Sequence, residues 1–359
     1  MLNAGDPAPW FTAPSSVNDN FVFDAAAGRY IVLTFFGSAA HPASRRVLDD
    51  VEANHQRFDV FNACFFGVSA DPADRQQARV GQKFPGIVYF WDFDLSLARL
   101  YQVSAAGSNN YAAQTIVLDP AMRILAIVAF DDHMETHVAR VLEILNQWPP
   151  VMSLTSFAPV IEAPFVFEPD LCRTLIALYE QHGGSSIGVL RDVGGQTVRV
   201  DDGTVKRRTD YIVDQEPLKN AIADRLQRRV FTEIHKAFQF NPTQIERYIV
   251  SCYNAEGGGF FRAHRDNTTA GSAHRRFAVT INLNAEEYDG GELRFPEYGV
   301  RTYKAATGSA IVFSCSLLHE ARPVTRGKRF AFLPFIYDDA AAAVREQNQH
   351  RVAANLRQM

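Results

Sequence analysis

A chain of 359 residues is too long for one ordinary single-core domain, so two domains are the starting expectation. With 47% hydrophobic and 21% charged residues and no biased tract, the composition is globular. A formal net charge of −4 supplies no general basic face for nucleic acid or an anionic membrane. The short basic runs Lys206-Arg207-Arg208, Arg228-Arg229 and Arg275-Arg276 read as solvated faces or local anion sites.

The opening residues Met1-Leu2-Asn3-Ala4-Gly5-Asp6 carry neither a basic n-region nor an apolar h-region, so no signal peptide is expected. No apolar run approaches the ~20 residues of a membrane span. The cysteines Cys64, Cys172, Cys252 and Cys315 form no CxxC pair, and read as buried thiols of a cytoplasmic protein.

In chain order, Tyr30–Phe36, Phe61–Val68, Ile87–Phe90, Thr115–Leu118 and Ile124–Phe130 are predicted strands. Between and after them, Pro42–Asn54, Pro72–Gln82, Leu95–Tyr101 and His133–Trp148 are predicted helices. That interleaving implies βαβ units and a parallel or mixed sheet over residues 1–150. Pro149-Pro150 stops the last helix, and Met152–Ala158 reads as a linker. Asp170–His182 and Glu216–Phe238 are predicted helices. Gly183–Asp214 between them is predicted to form a flexible two-stranded finger, turning at Asp201-Asp202-Gly203. From Gln244 strands follow one another without helices: Gln244–Tyr253, Phe260–Asp266, Phe277–Leu283, Gly291–Phe295, Gly299–Lys304, Ser309–Ser314 and Arg329–Ile336. Turns at Asp289-Gly290-Gly291 and Gly327 suggest an antiparallel sandwich or jelly roll for residues 159–340. The tail, from Asp338 to Met359, reads as a helix, with residues 341–359 set apart from the barrel.

On a strand, side chains at i and i+2 share a face, so His264 and Asp266 of Phe260–Asp266 project together. An imidazole and a carboxylate on one face chelate a divalent metal. His319 follows Ala310–Ser314 by a short step and lies 319 − 266 = 53 residues past Asp266, at the mouth of another strand. Two histidines and one carboxylate leave open positions on a metal, as non-haem iron(II) oxygenases require. An HxD pair also arises on an ordinary polar strand, and His235 and His274 compete nearby. Arg329 opens a strongly apolar strand, and a cation pointing into an apolar barrel needs an anion. Lys328 competes with it, since only one of two successive residues faces inward. Tyr253, ahead of Gly257-Gly258-Gly259, is either a core tyrosine or a donor to the same acid.

The run Tyr253-x-x-x-Gly257, His264-x-Asp266, Gly290-Gly291-x-Leu293, Gly308, His319-x-x-x-Pro323-Val324-Thr325 and Gly327-Lys328-Arg329 resembles the prolyl 4-hydroxylase-type branch of the Fe(II)/2-oxoglutarate dioxygenases. The resemblance covers roughly residues 162–338. It implies a double-stranded β-helix (jelly roll) with flanking helices, iron on His264, Asp266 and His319, and 2-oxoglutarate bound to the metal and salt-bridged to Arg329. Asn282 falls where such enzymes often add a second contact to the co-substrate. The implied reaction uses O2, with ascorbate as a candidate reductant. It decarboxylates 2-oxoglutarate to succinate and CO2 and hydroxylates a C–H bond of a protein, peptide or amino-acid-like substrate. An intact Asp266 favours hydroxylation over halogenation, for which relatives replace this carboxylate by a small residue. Gly183–Asp214, with Arg207, Arg208 and Asp210, corresponds to the region that closes over substrate.

The first 150 residues resemble a peroxiredoxin of the thioredoxin-like α/β fold. The resemblance rests on Asp6-Pro7-Ala8-Pro9-x-Phe11, Ile31–Phe36, Val68-Ser69-x-Asp71 and Ile116-Val117-Leu118-Asp119-Pro120. The Thr-x-x-Cys turn of such enzymes reads His41-Pro42-Ala43-Ser44 here, and the supporting Arg position reads Ala113. Loss of peroxidase chemistry is therefore expected, leaving substrate binding, pairing into a homodimer or scaffolding. The competing functions are a redox protein working through Cys64 and a non-catalytic binding scaffold.

Overall fold

The computed structural model describes residues 2–105 and 111–354 and divides into two compact units. The first comprises Met1–Ser156 with Pro296–Arg301, the second Phe157–Phe295 with Thr302–Met359.

In the first unit a short antiparallel pair, Thr12–Ala13 with Phe21–Val22, stands beside a main sheet of β1 (Tyr30–Gly37), β2 (Ala63–Ser69), β3 (Ile87–Trp91), β4 (Gln114–Leu118) and β5 (Ile124–Ala129). These five form one mixed sheet in the order β3-β2-β1-β4-β5. β1, β2 and β3 are parallel, while β4 and β5 join antiparallel. Nearly every residue of β1 and β2 is buried, as expected of parallel strands covered on both faces. The helices are α1 (Pro42–Ala53), α2 (Pro72–Gln76), α3 (Ser96–Leu100) and α4 (His137–Asn146). α2 ends at Gln76, six residues before the expected Gln82, and Ala78 then takes a left-handed φ of 49°.

At the start of α1, Ser44 is buried and its hydroxyl donates to the Phe36 carbonyl at 2.6 Å. Cys64 lies within β2, and burial pushes its thiol up to about 12, which leaves no thiolate at neutral pH.

The second unit begins with β6 (Ile161–Ala163) and α5 (Pro169–His182). Next come β7 (Val189–Val193), β8 (Gln196–Val200), β9 (Lys206–Arg207) and β10 (Thr209–Ile212). α6 (Glu216–Leu226) continues through one π-turn, Gln227–Phe231, into α7 (Thr232–Phe238). The strands after it are β11 (Gln244–Glu246), β12 (Ile249–Asn254), β13 (Phe260–His264), β14 (Phe277–Asn282), β15 (Asp289–Gly290) and β16 (Leu293–Arg294). β17 (Thr302–Tyr303), β18 (Ala310–Ser314), β19 (His319–Ala321), β20 (Val324–Arg326), β21 (Lys328–Phe332) and β22 (Phe335–Tyr337) complete them, and α8 (Asp339–Gln347) closes the unit. The helical tail expected to reach Met359 stops at Gln347, followed by a 3-10 turn. Residues 355–359 lie outside the described residues.

Two antiparallel sheets make the second unit. The larger runs β10-β12-β21-β14-β18-β6, with β22 linking β11 to β14, and the smaller runs β9-β13-β19-β16-β17. Period-2 alternation gives the larger sheet an apolar face of Val250, Cys252, Ile281, Phe330 and Phe332. It packs with Leu175, Ile222, Leu226, Val230 and Ile234 from α5, α6, the π-turn and α7. The intervening residues, including Tyr253, Thr280 and Arg329, face the cavity between the sheets.

The finger also differs from expectation. The hairpin β7–β8 turns at Gly194-Gly195, both at left-handed φ (57° and 80°), and not at Asp201-Asp202-Gly203. Two consecutive glycines can both take positive φ without strain, whereas Asp202 before Gly203 makes a side-chain turn, accepting from the Thr204 amide and hydroxyl. The rest of the segment is absorbed into the fold, β9 pairing with β13 and β10 with β12.

Candidate metal centre

β13 and β19 are antiparallel neighbours, and His264 and His319 are direct partners in their register. Two residues past the end of β13, the Asp266 amide donates to the Cys315 carbonyl at 3.0 Å, which fixes the carboxylate on the same side. His264 Nε2 lies 3.5 Å from Asp266 Oδ1, and His319 Nε2 lies 3.3 Å from Asp266 Oδ2. Their ligand atoms all fall within 4.8 Å of one another.

Both imidazoles are turned by their other nitrogen. His264 Nδ1 pairs with the Arg262 carbonyl at 2.8 Å and His319 Nδ1 with the Leu317 carbonyl at 3.0 Å. A carbonyl accepts only from N–H, so each ring carries its proton on Nδ1 and presents the Nε2 lone pair inward. Phe261 stacks on His264 with centroids 3.5 Å apart, and Phe313 packs edge-on to His319 at 4.6 Å. Burial, then the nearby His264, lowers His319 to about 4, so its imidazole is neutral at physiological pH. Burial pushes the Asp266 carboxyl up, but His319, His264 and Arg275 outweigh it and hold it well below the usual carboxylate range.

Behind the triad, His274 pairs with Glu246 (Nε2–Oε2 2.6 Å), and Arg275 pairs with the same carboxylate at 2.7 Å. His274 is thereby engaged elsewhere, and His235 is exposed on α7, so neither competing histidine joins the cluster.

The triad lines a cavity of about 490 Å³, mouth included, together with Arg329, Tyr253, Arg208, Arg247 and Thr280. Arg329 is 2% exposed, and its guanidinium lies over the Tyr253 ring at 5.0 Å. Its Nε and Nη1 reach neither an acceptor nor solvent. Lys328, one residue earlier, is exposed and does not line the cavity: alternation turns it outward when Arg329 points in. Tyr253 is buried beside Arg329, and its hydroxyl accepts from Arg208 Nη1 at 3.1 Å, leaving its own proton to donate. Arg208 is in turn ion-paired with Asp210 at 2.8 Å.

Asn282 lies on the inward face of β14, but its amide nitrogen donates to the Ala305 carbonyl at 2.7 Å. The side chain is held there, outside the cavity lining. Two neighbours escaped the sequence reading. Tyr288, a buried phenol beside Arg329, packs with Tyr253; burial raises its hydroxyl, and the charge and hydrogen-bonding of Arg329 oppose the rise. Arg247 sits where a single strand, Gln244–Tyr253, was expected. The chain breaks there between β11 and β12, and Arg247 adopts a left-handed φ of 67°. Arg208 had a signal, the alternating Arg208-x-Asp210 pair; Arg247 had none.

An antiparallel two-sheet fold that converges two histidines and one carboxylate on a cavity has the layout of the non-haem iron oxygenases. Residues 244–337 match the family model described as the 2OG-Fe(II) oxygenase superfamily, and residues 4–127 match that of the AhpC/TSA family. A PKHD-type hydroxylase of Maricaulis maris is 30% identical over 199 residues, 52% of this chain and 85% of that protein. One from Stutzerimonas stutzeri is 30% identical over 128 residues, 33% of this chain and 56% of that protein. The match to several such relatives is thus about half their length, 44% for two from Synechococcus. A solved prolyl-4-hydroxylase of Pseudomonas putida aligns with 56% of this chain and 98% of its own at 19% identity and a TM-score of 0.37. The chain belongs to the 2OG-Fe(II) oxygenase superfamily, among relatives of the PKHD-type hydroxylases, and carries an AhpC/TSA-family segment ahead of that region.

Proposed function

We propose that the protein is an Fe(II)- and 2-oxoglutarate-dependent dioxygenase that hydroxylates a C–H bond, with residues 159–340 as its catalytic domain. The observation that carries the reading is a 2-His-1-carboxylate cluster sharing one cavity with a buried arginine that lacks an anion. The residues fit the absent groups. Two Nε2 lone pairs and one ionised carboxylate suit a divalent metal with open positions, and Arg329 suits a carboxylate held bidentately. His264, Asp266 and His319 would hold the iron; Arg329, with the Tyr253 hydroxyl, would bind the distal carboxylate of 2-oxoglutarate. Iron bound with 2-oxoglutarate and O2 supplies decarboxylation to succinate and CO2 coupled to hydroxylation.

The chain's own residues do the rest. The Arg262 and Leu317 carbonyls orient the two imidazoles. Arg208 aims the Tyr253 hydroxyl, and Asp210 neutralises Arg208. Phe313 and Phe261 keep water from the histidine faces. A carboxylate at Asp266 occupies the position that halide would need, which favours hydroxylation. The substrate class in this reading is a protein, peptide or amino-acid-like molecule. For the AhpC/TSA segment, the buried Ser44 at the nucleophile position and the inert Cys64 favour a binding or scaffolding role over peroxidase chemistry. No helix among the described residues is long and apolar enough to cross a membrane.

Purified protein supplied with Fe(II) and 2-oxoglutarate should form succinate, and His264→Ala should abolish it. Wild-type protein that binds neither Fe(II) nor 2-oxoglutarate would end this reading.

A further inference from the structure

Among the described residues, Arg208, Arg247 and Arg329 line the cavity and Arg275 stands behind it. Arg208 is paired with Asp210, and Arg275 with Glu246. Arg329 has been read above as the anchor of the co-substrate. Arg247 is left over. It lines the cavity, its guanidinium lies 5.1 Å from the Phe335 ring, and it has no ion-pair partner among the described residues. Its backbone is held at φ 67°, a conformation that L side chains other than Asn and Asp rarely adopt. The carboxylates that act on it, Asp210 and Glu246, are already ion-paired with Arg208 and Arg275, so Arg247 is the surplus cation of this group and calls for a ligand. Burial, then the charges of Arg275 and Arg208, lowers its guanidinium to about 10, still protonated at neutral pH.

Its place in the register separates it from Arg329. Strands β12 and β21 pair Tyr253 with Arg329 and Val250 with Phe332. Arg247 precedes Val250 and shares the cavity wall with Leu333, Pro334 and Phe335, beyond the opposite end of that pairing. A divalent metal and a doubly charged 2-oxoglutarate cancel each other, so neither relieves Arg247.

We propose that Arg247 anchors a carboxylate of the substrate, so that the cavity takes one acid at Arg329 and a second at Arg247. The inference rests on the dioxygenase reading and names its substrate class: a molecule with a carboxylate near the C–H bond to be hydroxylated. That carboxylate belongs either to a free amino-acid-like acid or to an acidic side chain of a peptide.

The test uses the full chain loaded with Mn(II) and N-oxalylglycine, an unreactive analogue of 2-oxoglutarate, and measures binding by calorimetry. The probes are N-acetylglycine against N-acetylglycinamide, and a capped aspartate tripeptide against its asparagine counterpart. At least one acid should bind more tightly than its amide. Arg247→Met should weaken that acid by about tenfold or more, Arg247→Lys by less, and both should leave N-oxalylglycine affinity near wild type without lowering the melting temperature. Preference for N-acetylglycine assigns a free small acid; preference for the aspartate peptide assigns a peptide side chain. Equal binding of acids and amides, or an Arg247→Met variant that binds the acid as wild type does, overturns the proposal. So does an Arg247→Met variant that loses N-oxalylglycine, because Arg247 would then serve the co-substrate. Failure of wild type to bind Mn(II) and N-oxalylglycine at all would instead overturn the dioxygenase reading, and this inference with it.

Discussion

Arg329→Met tests how the co-substrate pocket is built. The variant deletes a buried guanidinium whose Nε and Nη1 meet neither acceptor nor solvent. Each unsatisfied buried donor costs about 1–3 kcal/mol, and methionine keeps most of the apolar stem that packs there. Against this stands the lost contact with the Tyr253 ring at 5.0 Å, about 1 kcal/mol. The net expectation is a ligand-free protein more stable by about 2 kcal/mol, the sign known for buried charges replaced by apolar groups. For a unit of this size that raises the melting temperature by about 4–8 °C. Scanning calorimetry with a chelator present measures it. With Mn(II) already bound to both, titration with 2-oxoglutarate should then stabilise wild type but not the variant, which lacks the anchor. A variant less stable than wild type, or one that keeps the ligand-induced rise, would refute the account of Arg329 as a cation held for an absent anion.

The other expectations concern backbone and pH. Gly291 has φ 69°, and a Cβ there would stand 3.0 Å from Arg329 Cδ and 2.9 Å from Val324 Cγ2. Gly291→Ala should therefore displace Arg329 and raise KM for 2-oxoglutarate by about tenfold while Mn(II) affinity holds. Gly290→Ala should instead unsettle the fold, because its Cβ would meet the Pro323 carbonyl at 2.3 Å; a lower melting temperature for this variant than for Gly291→Ala checks the contrast. In the first unit, His137 is buried against Thr115 Oγ1 at 2.8 Å, and burial, then Arg140, lowers its imidazole from 6.5 to about 4. Between those values the unfolded chain binds the extra proton, so stability rises with pH and is lost as pH falls from 6.5 to 4, by about 3 kcal/mol in total. Denaturant midpoints followed by tryptophan fluorescence would show it, since Trp10, Trp91 and Trp148 all lie in that unit. His137→Gln should flatten the dependence; an unchanged slope would show that other groups carry it.

Much of this was legible before any coordinates. The five strands of the first unit's main sheet follow from uninterrupted apolar runs, and their edges moved by no more than two residues. Strand periodicity points to His264 and Asp266, the end of an apolar strand to His319, and the cost of a cation at the head of an apolar strand to Arg329; the structure brings these four side chains to one cavity. What escaped depended on pairings distant in sequence. Asn282 was expected near the co-substrate, but the Ala305 carbonyl, 23 residues on, claims its amide. Tyr288 is beside Arg329 only because the intervening chain folds back over it. The break at Arg247 left no mark, since Gln244–Tyr253 reads as one strand whether or not a left-handed residue divides it. The finger's turn was misplaced because Asp-Asp-Gly and Gly-Gly are both turn signals, and only the pairing of Val193 with Gln196 chooses between them.

The direct pairing of His264 with His319 reaches beyond chemistry into folding fidelity. Side chains alternate between faces, so a slip of one residue between β13 and β19 would throw one imidazole out of the cavity and leave the other without its partner. A bulge between Phe261 and His264 makes that stretch of ladder irregular, and so less able to define its own alignment. Metal held across the two strands would act as a rivet on the correct alignment and would be refused by misaligned molecules. The fraction of a preparation that takes up metal would then count the chains whose strands closed in step.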